Sequence, residues 1–566
     1  MTGIQRATGA FLAVLLSSTP PTGPLAAQGR DEGRGRPCPG TDSVAPGPEA
    51  DPCGTRLVRA TVLDTVILLR RPIFSPRETR GNFLLGIFNA LHVTTRPYVI
   101  RQELLLEPGQ PYDSALAAET ARNLRTRNLF REVEVDTVRL EDGRLAARIR
   151  TLDAWSILPR LELRVASDGT VTGVFGGTET NLFGTGNVVQ SLFVKSVDRD
   201  GLVLGVGLPR VSASGIGLGG TFQNLSDRTA GSWSAGRPFR ALSDRWSVVA
   251  SGETFRGRVF QFRSEDALRP DTVRWQRRAT IQRSDGSYAI HATPRGYLRV
   301  GLSAEVRREE FFPRAVLFDP DALPVPDTVY GLLGAWAELR RAEFHTLTYF
   351  NGFTEEDQDL SRVLFVGLKL APGGWGYRRT GVGPRVLLRA GKRIGDLLLK
   401  GNVNAQALFN GAGLDSGRVQ ASGTAALRSA HHQVTLLNVA GAVQEDPPPG
   451  GEVDLGFRVP PRLWEPHAFI GTRSVAVTLE HRWYARDRIL DLFGVGLSGF
   501  LDYGGAWFED QAARAGGNVG AALLIGWPLR ATPIVTELSA GYLFGGGIGA
   551  TRRRRFAVSL GTGLRF

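Results

Sequence analysis

The feature that most constrains the fold is a long C-terminal region, residues 156–566, in which apolar side chains alternate with polar or small ones. Segments of about ten alternating residues are separated by Gly, Pro, Asp and Ser, as in strands with one face in lipid and the other in a polar lumen. In the last segment, aromatic and aliphatic side chains share one face, and the chain ends on Phe566. Similar alternation is found at 473–484, 495–507, 517–527 and 533–543.

This alternation, together with the absence of long apolar runs, indicates the class of fold. A helical membrane protein needs apolar runs of about 18 residues or more, and none follows the N-terminal segment. We therefore predict a mainly β protein in which residues 156–566 form a transmembrane antiparallel β-barrel. Bacterial barrels have an even number of strands, and we predict about 16, within a range of about 16 to 20 that this length can hold.

The N-terminus has the parts of a secretory signal peptide: Arg6, the short apolar run Ala10–Leu16 and a plausible cleavage site at Leu25–Ala27. Residues 1–27 are predicted to be this signal, without a cysteine motif for a lipid anchor. Residues 28–56 lack periodicity and are predicted to be a disordered linker. They contain Cys38 and Cys53, which form either a small disulfide loop or two free thiols, and which do not make a zinc site by themselves.

Residues 57–155 are predicted to form one small α+β domain, because their hydrophobic pattern changes from strand to helix and back to strand. Residues 70–90 are expected to be a looser insertion. The predicted order is β-α-α-β-β. Its elements are a buried strand at Leu57–Leu69, a helix within Arg96–Leu106, a helix capped by Asp113 or Ser114, and two alternating strands joined by the turn Glu141–Gly143.

The charge of the chain does not indicate a nucleic-acid partner. The net charge is +13, mostly from Arg residues that are scattered through strand-like segments rather than clustered, apart from Arg552–Arg555. In a barrel, such residues line a wet lumen or meet anionic lipid head groups. Outer-membrane lipids are therefore an expected partner, and nucleic acid is not.

The sequence does not contain a convergent set of catalytic residues, so we predict that the protein is not an enzyme and has no catalytic, cofactor or metal site. The histidines are isolated except for His431-His432, whose side chains would point to opposite faces of a strand. The run Gly215–Gly220 fits the dinucleotide-binding pattern G-x-G-x-x-G. No helix is expected after it, and glycines of a curved barrel strand explain it better.

The N-terminal region contains four short motifs, Val99-Ile100-Arg101, Pro108–Tyr112, Leu124-Arg125 and Phe130–Val135. Together they resemble the POTRA domain of the BamA, TamA and two-partner secretion transporter superfamily. Three further runs, Asn89–Arg96, Thr151–Trp155 and Asn181–Gly186, are similar to a less-described branch with a single such domain. This resemblance covers residues 57–566 and implies that the α+β domain lies in the periplasm.

Near the C-terminus, Leu455–Arg473 resembles the long inward-folded loop of these barrels. The family carries Arg-Gly-aromatic at the loop tip, whereas this chain has Arg462, Leu463 and Trp464. The resemblance implies that Arg462 pairs with Asp502 in the lumen, or with Glu480 instead, and holds the loop in place. The alternative is that Arg462 lies in solvent on an extracellular loop.

The resemblance implies a function at the outer membrane. The barrel would insert or translocate an unfolded or secreted polypeptide client, or a lipid, that the periplasmic domain receives through an exposed sheet edge. The first and last barrel strands would form a seam that opens laterally. Periplasmic chaperones or accessory proteins are further expected partners. Two alternatives are a passive outer-membrane pore and a barrel-embedded hydrolase, and the missing catalytic set argues against the latter.

Overall fold

The computed structural model describes residues 62–81, 83–165, 171–196, 198–211, 214–262, 272–313, 328–456, 459–489, 492–531, 533–546 and 555–563. The predicted signal peptide, the linker with Cys38 and Cys53, and the terminal Phe566 lie outside these ranges. Within them, no helix is long and apolar enough to cross a membrane.

The N-terminal unit is a three-stranded sheet covered by helices, with the strand order β1-β3-β2. Strand β3 pairs in parallel with β1 and antiparallel with β2. Its elements are β1 (Leu63–Arg71), α1 (Pro76–Gly81), α2 (Phe83–Leu91), α3 (Pro97–Arg101), α4 (Ser114–Thr126), β2 (Phe130–Arg139) and β3 (Leu145–Asp153).

Local chemistry explains much of this unit. Asp113 caps α4 by accepting a hydrogen bond from the backbone N–H of Ala115 at 2.7 Å, as its position before the helix predicts. The predicted order β-α-α-β-β was incomplete, because the expected insertion at 70–90 contains α1 and α2. The apolar face of the sheet packs against α3 and α4 in one core, formed by Val99, Ile100, Leu124, Leu129, Phe130 and Ile149.

The rest of the chain contains β4 (Ile157–Val165), β5 (Val171–Leu182), β6 (Asn187–Lys195), β7 (Asp200–Leu208), β8 (Gly217–Leu225), β9 (Arg228–Arg237), β10 (Trp246–Phe262), β11 (Thr272–Thr293), β12 (Gly296–Pro313), β13 (Thr328–Arg341), β14 (Phe344–Leu347), β15 (Glu356–Asp359), β16 (Arg362–Ala371), β17 (Gly381–Ile394), β18 (Leu397–Asn410), β19 (Gly413–Ala430), β20 (Gln433–Glu445), β21 (Val453–Leu455), β22 (Phe469–Gly471), β23 (Arg473–Ile489), β24 (Phe493–Trp507), β25 (Gly516–Gly526), β26 (Val535–Gly545) and β27 (Phe556–Thr562), with a short 3₁₀ turn at Gly373–Trp375.

Twenty of these strands close into one antiparallel barrel, so the prediction of 16 strands was wrong. The remaining pairs, β14–β15 and β21–β22, are small hairpin sheets within loops. The error has a physical reason. Strands β4 to β9 are only 9 to 12 residues long. A connection as short as Ser226-Asp227 joins β8 to β9, so this region holds more hairpins than an even spacing suggests.

Side chains that alternate along each strand give the barrel wall an apolar outer surface and a more polar inner surface. On β24, Leu497 and Leu501 are exposed on the outside, whereas Ser498 and Asp502 are buried on the inside. The barrel closes where β27 meets β4, with Leu560 opposite Leu163. This seam has three registered pairs among the described residues. Neighbouring pairs of strands are joined over longer stretches, and β26 pairs with β27 at seven positions.

The N-terminal unit packs against one end of the barrel, which we call the domain end; the other is the far end. Two long connections separate consecutive barrel strands. The far-end loop, residues 446–472, joins β20 to β23, and the domain-end loop, residues 342–361, joins β13 to β16.

His431 and His432 lie in a tight turn at the domain end. Their rings are 4.6 Å apart, which corrects the expectation of opposite strand faces.

Candidate functional site inside the barrel

The tip of the far-end loop lies inside the barrel, where the Arg462 guanidinium is surrounded by carboxylates. It makes a bidentate pair with Asp502, with Nε–Oδ2 at 2.8 Å and Nη2–Oδ1 at 3.1 Å. Nη2 also donates to Glu480 at 2.8 Å. Arg462 is only 5% exposed, so the predicted pairing is present and the solvent-exposed alternative is not. The guanidinium also lies 4.2 Å from the centre of the Phe500 ring.

A second arginine completes this charged cluster on the barrel wall. Arg482, on the same strand as Glu480, donates to it from Nε at 2.6 Å. Both arginines also reach Glu537 on β26, at 3.5 Å from Arg462 and 3.4 Å from Arg482. The cluster therefore joins three strands of the wall, β23, β24 and β26, to one loop tip. Two guanidinium groups face three carboxylates, each a strong charge-assisted partner.

The two residues after Arg462 bind the loop tip to strand β25 through hydrogen bonds and close packing. The backbone N–H of Leu463 donates to the Asn518 side chain at 3.2 Å, and the indole N–H of Trp464 donates to the carbonyl of Gly517 at 3.0 Å. A Cβ at Gly516 would lie 2.7 Å from the Trp464 ring. Glycine is therefore needed at that position on β25 for the indole to lie against the wall.

The domain-end loop enters the barrel from the opposite side. The ring of Phe353 lies against Gly526 and Gly494, where a Cβ would approach it within 2.0 and 2.6 Å. The carbonyl of Phe350 accepts a hydrogen bond from the Tyr484 hydroxyl at 2.9 Å. Phe350 and Tyr484 belong to a hydrophobic cluster against which Phe353 packs, and which also contains the fully buried Leu463 of the far-end loop. Both loops therefore contribute side chains to one core inside the barrel.

The domain-end loop is also bound to the N-terminal unit. Arg125 on α4 makes a bidentate pair with Asp357 of this loop, at 2.8 and 3.0 Å. Arg122, one turn earlier, places its guanidinium 4.6 Å from the ring centre of Phe344. Other contacts of α4 reach the barrel turn after β9, where Glu119 accepts from the backbone N–H of Leu242 at 2.8 Å. Contacts of α4 therefore link the loop and the rim.

The three runs that resemble the single-domain branch meet at the junction between the N-terminal unit and the barrel. Asp153 accepts hydrogen bonds from the backbone N–H and hydroxyl of Thr95, at 2.7 and 3.0 Å, and lies 2.8 Å from Nε2 of His92. Asn181 donates to the Thr95 hydroxyl at 2.9 Å and accepts from the backbone of Gly186. These polar groups are buried and connect the first strands of the barrel to the sheet.

A histidine fastens the outer part of the far-end loop. The His467 imidazole lies between Asp454, 2.7 Å from Nδ1, and Asp198 of the turn after β6, 3.0 Å from Nε2. Burial lowers the pKa of an imidazole, but the charge of Asp454 and both hydrogen bonds outweigh it and raise the pKa of His467 to about 9. Burial alone would raise the pKa of Asp198, but the hydrogen bond from His467 and the positive charge of its imidazole lower this pKa to about 2.

Four of the predicted site residues, Arg462, Trp464, Asp502 and Glu480, are thus brought together in the lumen, while Phe566 lies outside the described residues. Their role as a loop lock stays a prediction. Sequence reasoning missed Glu537 and Asn518. The available signal for Glu537 was an acidic residue at an inward position of an otherwise apolar strand. Within the described ranges, no group of His, Cys, Asp and Glu is arranged to hold a metal ion.

A closed antiparallel barrel with an even number of strands, apolar outside and charged inside, is the architecture of a bacterial outer-membrane protein. No family model matches the chain, and no curated protein matches it. Solved structures similar to it are BamA from Haemophilus ducreyi lacking POTRA domains 1–3 (12% identity, 88% of this chain and 85% of that chain covered, TM-score 0.37), CdiB from Acinetobacter baumannii (10%, 89% and 74%, 0.42) and CdiB from Escherichia coli (10%, 99% and 97%, 0.46).

At these identities and TM-scores, the likeness carries no argument about the family or the client of this chain.

Proposed function

We propose that this protein inserts or translocates polypeptide clients at the bacterial outer membrane, and that its domain end faces the periplasm. The observation that carries the proposal is the linked pair of lumenal loops. The far-end loop and the domain-end loop share one core, and α4 contacts the latter through Arg125 and Arg122. A change in the N-terminal unit thereby has a direct physical route to the lumen.

In this proposal the N-terminal unit supplies the receiving surface, as its POTRA-like motifs imply. Strands β1 and β2 are the outer strands of its sheet, and among the described residues neither has a second strand beside it. An extended polypeptide can add to such an edge through backbone hydrogen bonds. On β2, Glu132 and Glu134 are exposed, which discourages edge-to-edge aggregation while leaving the backbone accessible.

A passive pore is the second candidate, and the buried tip of the far-end loop speaks against it. An open channel does not require a charged cluster that holds a loop inside the barrel, nor a second loop bound to a separate domain. That the protein acts without catalysing a chemical reaction is also part of the proposal. A lipid client, chaperones and accessory proteins likewise remain proposals.

The test uses the full-length protein in phospholipid vesicles, with a urea-unfolded eight-stranded outer-membrane barrel as the probe client. We expect the probe to become folded, measured by faster gel migration before boiling, more rapidly than in empty vesicles. Probe that becomes protected from protease inside the vesicles, without folding into the membrane, indicates translocation instead. If the probe neither folds faster nor becomes protected, and the protein shows steady ion conductance in a planar bilayer, the pore would be established.

A second variant tests the receiving role. Removing residues 57–155 should abolish the acceleration while the barrel still migrates faster unboiled than boiled. A truncated barrel that handles the probe as well as the full protein would show that the N-terminal unit does not receive clients.

A further inference from the structure

Helix α2 has an apolar face on each side, which is unusual for a helix at a protein surface. Its inner face packs into the structure: Leu85 joins a core with Phe74 and Leu529, and the Phe88 ring lies 4.7 Å from that of Trp155. Its outer face carries Phe83, Ile87 and Leu91, which are 76%, 45% and 63% exposed. Their spacing of four residues places them in one stripe. A helix facing only water would carry polar residues there.

The exposed stripe continues towards the outside of the barrel. Beyond Leu91, Val93 is 50% exposed, and its side chain lies beside Gly184, where a Cβ would be 3.1 Å away. The preceding residue, Phe183, is 66% exposed in the turn between β5 and β6 at the domain end. On the adjacent strand β4, Ile157 and Leu161 are exposed on the lipid-facing wall. The apolar surface of the barrel is therefore extended at its rim by α2.

The charges around the helix have one dominant sign. Residues 70–101 contain six arginines and a single acidic residue, Glu78. Arg77 and Arg80 precede the stripe and are exposed. An exposed apolar face flanked by arginines is the composition of a helix that lies in the plane of an anionic membrane surface.

We propose that α2 is an interfacial helix, and that its partner is the anionic phospholipid leaflet at the domain end of the barrel. Phe83, Ile87 and Leu91 enter the boundary between head groups and acyl chains, while Arg77 and Arg80 contact lipid phosphates. Phe88 packs on Trp155, two residues before β4, so the lipid contact fixes the N-terminal unit beside the seam. This lipid site goes beyond the proposed function and is equally compatible with a pore.

The depth of a spin label in the bilayer tests the proposal. In a Cys38→Ser/Cys53→Ser background, Phe83→Cys, Ile87→Cys and Leu91→Cys are labelled in the full-length protein. The protein is placed in vesicles of phosphatidylethanolamine and phosphatidylglycerol. Molecular oxygen concentrates in lipid and a neutral nickel chelate in water, so their relaxation effects report depth. Unchanged heat-modifiable gel migration verifies that each variant is folded.

We expect oxygen to relax all three labels more than the nickel chelate does, as at Leu161→Cys on the barrel wall. A label at Glu141→Cys, in the exposed turn between β2 and β3, should show the opposite order. If the α2 labels behave like Glu141→Cys, the helix lies in water and the proposal fails. Labels shielded from both reagents would reveal a protein partner or a second copy instead, which also overturns it.

A charge comparison tests the choice of lipid. The label at Ile87→Cys should become shallower when phosphatidylcholine alone forms the vesicles. The same decrease in depth should follow from Arg77→Gln/Arg80→Gln in the original lipid mixture. A depth that depends on neither the lipid charge nor these arginines would contradict recognition of anionic lipid.

Discussion

At the scale of single residues, the tip of the far-end loop carries a positive charge that carboxylates of the barrel wall surround. Arg462 lies in reach of Asp502, Glu480 and Glu537. Burial of such a group is costly unless its partners remain, so we expect the cluster to specify one loop position more strongly than it adds stability. Removing one charge of the cluster should therefore destabilise the position of the loop tip by more than the intact cluster stabilises it.

Replacing Arg462 by alanine should therefore release the loop tip. Three carboxylates would then face Arg482 alone, and breaking a buried pair in this way costs about 3–5 kcal/mol. Asp502→Ala should have a similar effect, and the double variant should be no worse than either single one, because both remove the same interaction. Cleavage of residues 446–472 by protease added at the far end measures the release.

Arg308→Ala provides the matched control for this prediction. Arg308 pairs with Glu310 at 2.7 Å, but its side chain is 65% exposed, and exposed pairs contribute little. Protease sensitivity should stay at the level of the unmodified protein. Equal effects of the Arg462 and Arg308 substitutions, or additive effects of the Arg462 and Asp502 substitutions, would show that the loop is held in another way.

The outer part of the far-end loop should loosen as the pH rises, in two steps. Burial raises the pKa of Glu452 to about 7, so its contribution is present below about pH 4.5 and is lost as the pH rises through 7. The raised pKa of His467 gives a contribution that is complete below about pH 6.5 and is lost through pH 9. Protease cleavage between pH 5 and 10 measures both steps.

Each step has its own diagnostic variant. Glu452→Gln should remove the lower step and leave the upper one, whereas His467→Gln should remove the upper step alone. At the acidic extreme, the lowered pKa of Asp198 predicts a further loss only as the pH falls towards about 2. A single pH profile shared by all three proteins would assign the dependence to other groups.

The sequence could predict Arg462, Asp502 and Glu480 because they lie in motifs with a fixed spacing. Glu537 and Asn518 were not predictable in the same way, since each is one polar residue at an inward position, and such residues are common along a barrel strand. Only the register between β24, β25 and β26 brings them to the loop tip.

At the scale of elements, hydrophobic periodicity located the barrel segments but not every helix. Strands predicted at 473–484 and 495–507 correspond to β23 and β24, because alternation is strong on a wall with lipid on one side. Helix α2 was missed because apolar residues occupy both of its faces, so no period of 3.6 stands out. The domain-end loop was missed because its hairpin strands, β14 and β15, have only four residues each, too few for a periodic pattern to stand out.

The domain-end loop offers a test through a substitution on the wall that faces it. In Gly526→Val, the new Cβ would lie 2.0 Å from the Phe353 ring, so the ring must leave its site against β25. We expect a larger or more frequent conductance in planar bilayers and faster cleavage of residues 342–361 by protease. Since Phe353 and Leu463 belong to one cluster, cleavage of the far-end loop should also rise.

Gly499→Val is the control for this experiment. Gly499 lies on the neighbouring strand β24, and a Cβ there meets no atom within 4 Å, so the loop should stay in place. If Gly526→Val opens the domain-end loop without affecting the far-end loop, the shared core does not couple the two loops.

At the scale of the whole molecule, the N-terminal unit, the loops and the seam lie in one connected structure. The unit docks through Glu119 and Arg125 to the rim and to the domain-end loop. The junction at Asp153 fixes it directly before β4, the first strand of the barrel. The seam between β27 and β4 has three registered pairs in the described residues. Counted over the described residues, opening of this seam would therefore break fewer ladder hydrogen bonds than separation of β26 from β27.

A reversible cross-link distinguishes a client route through the seam from a route through the lumen. In the Cys38→Ser/Cys53→Ser background, Leu163→Cys/Leu560→Cys places cysteines at directly opposed positions of β4 and β27. Opposed residues of antiparallel strands are about 4.5–5.5 Å apart at Cα, within the range that a disulfide bridges. If clients enter the membrane through the seam, oxidation should abolish folding of the probe barrel in vesicles, and reduction should restore it.

The matched control shares one cysteine with the seam variant. Leu538→Cys/Leu560→Cys joins β26 to β27, where Leu538 is the registered partner of Leu560, so oxidation there leaves the seam free and activity should persist. Both oxidised proteins should keep their faster unboiled migration, since neither bond disturbs barrel closure. Full activity of the oxidised seam variant would place the client path inside the lumen, and the two loops, rather than the short seam, would then have to move.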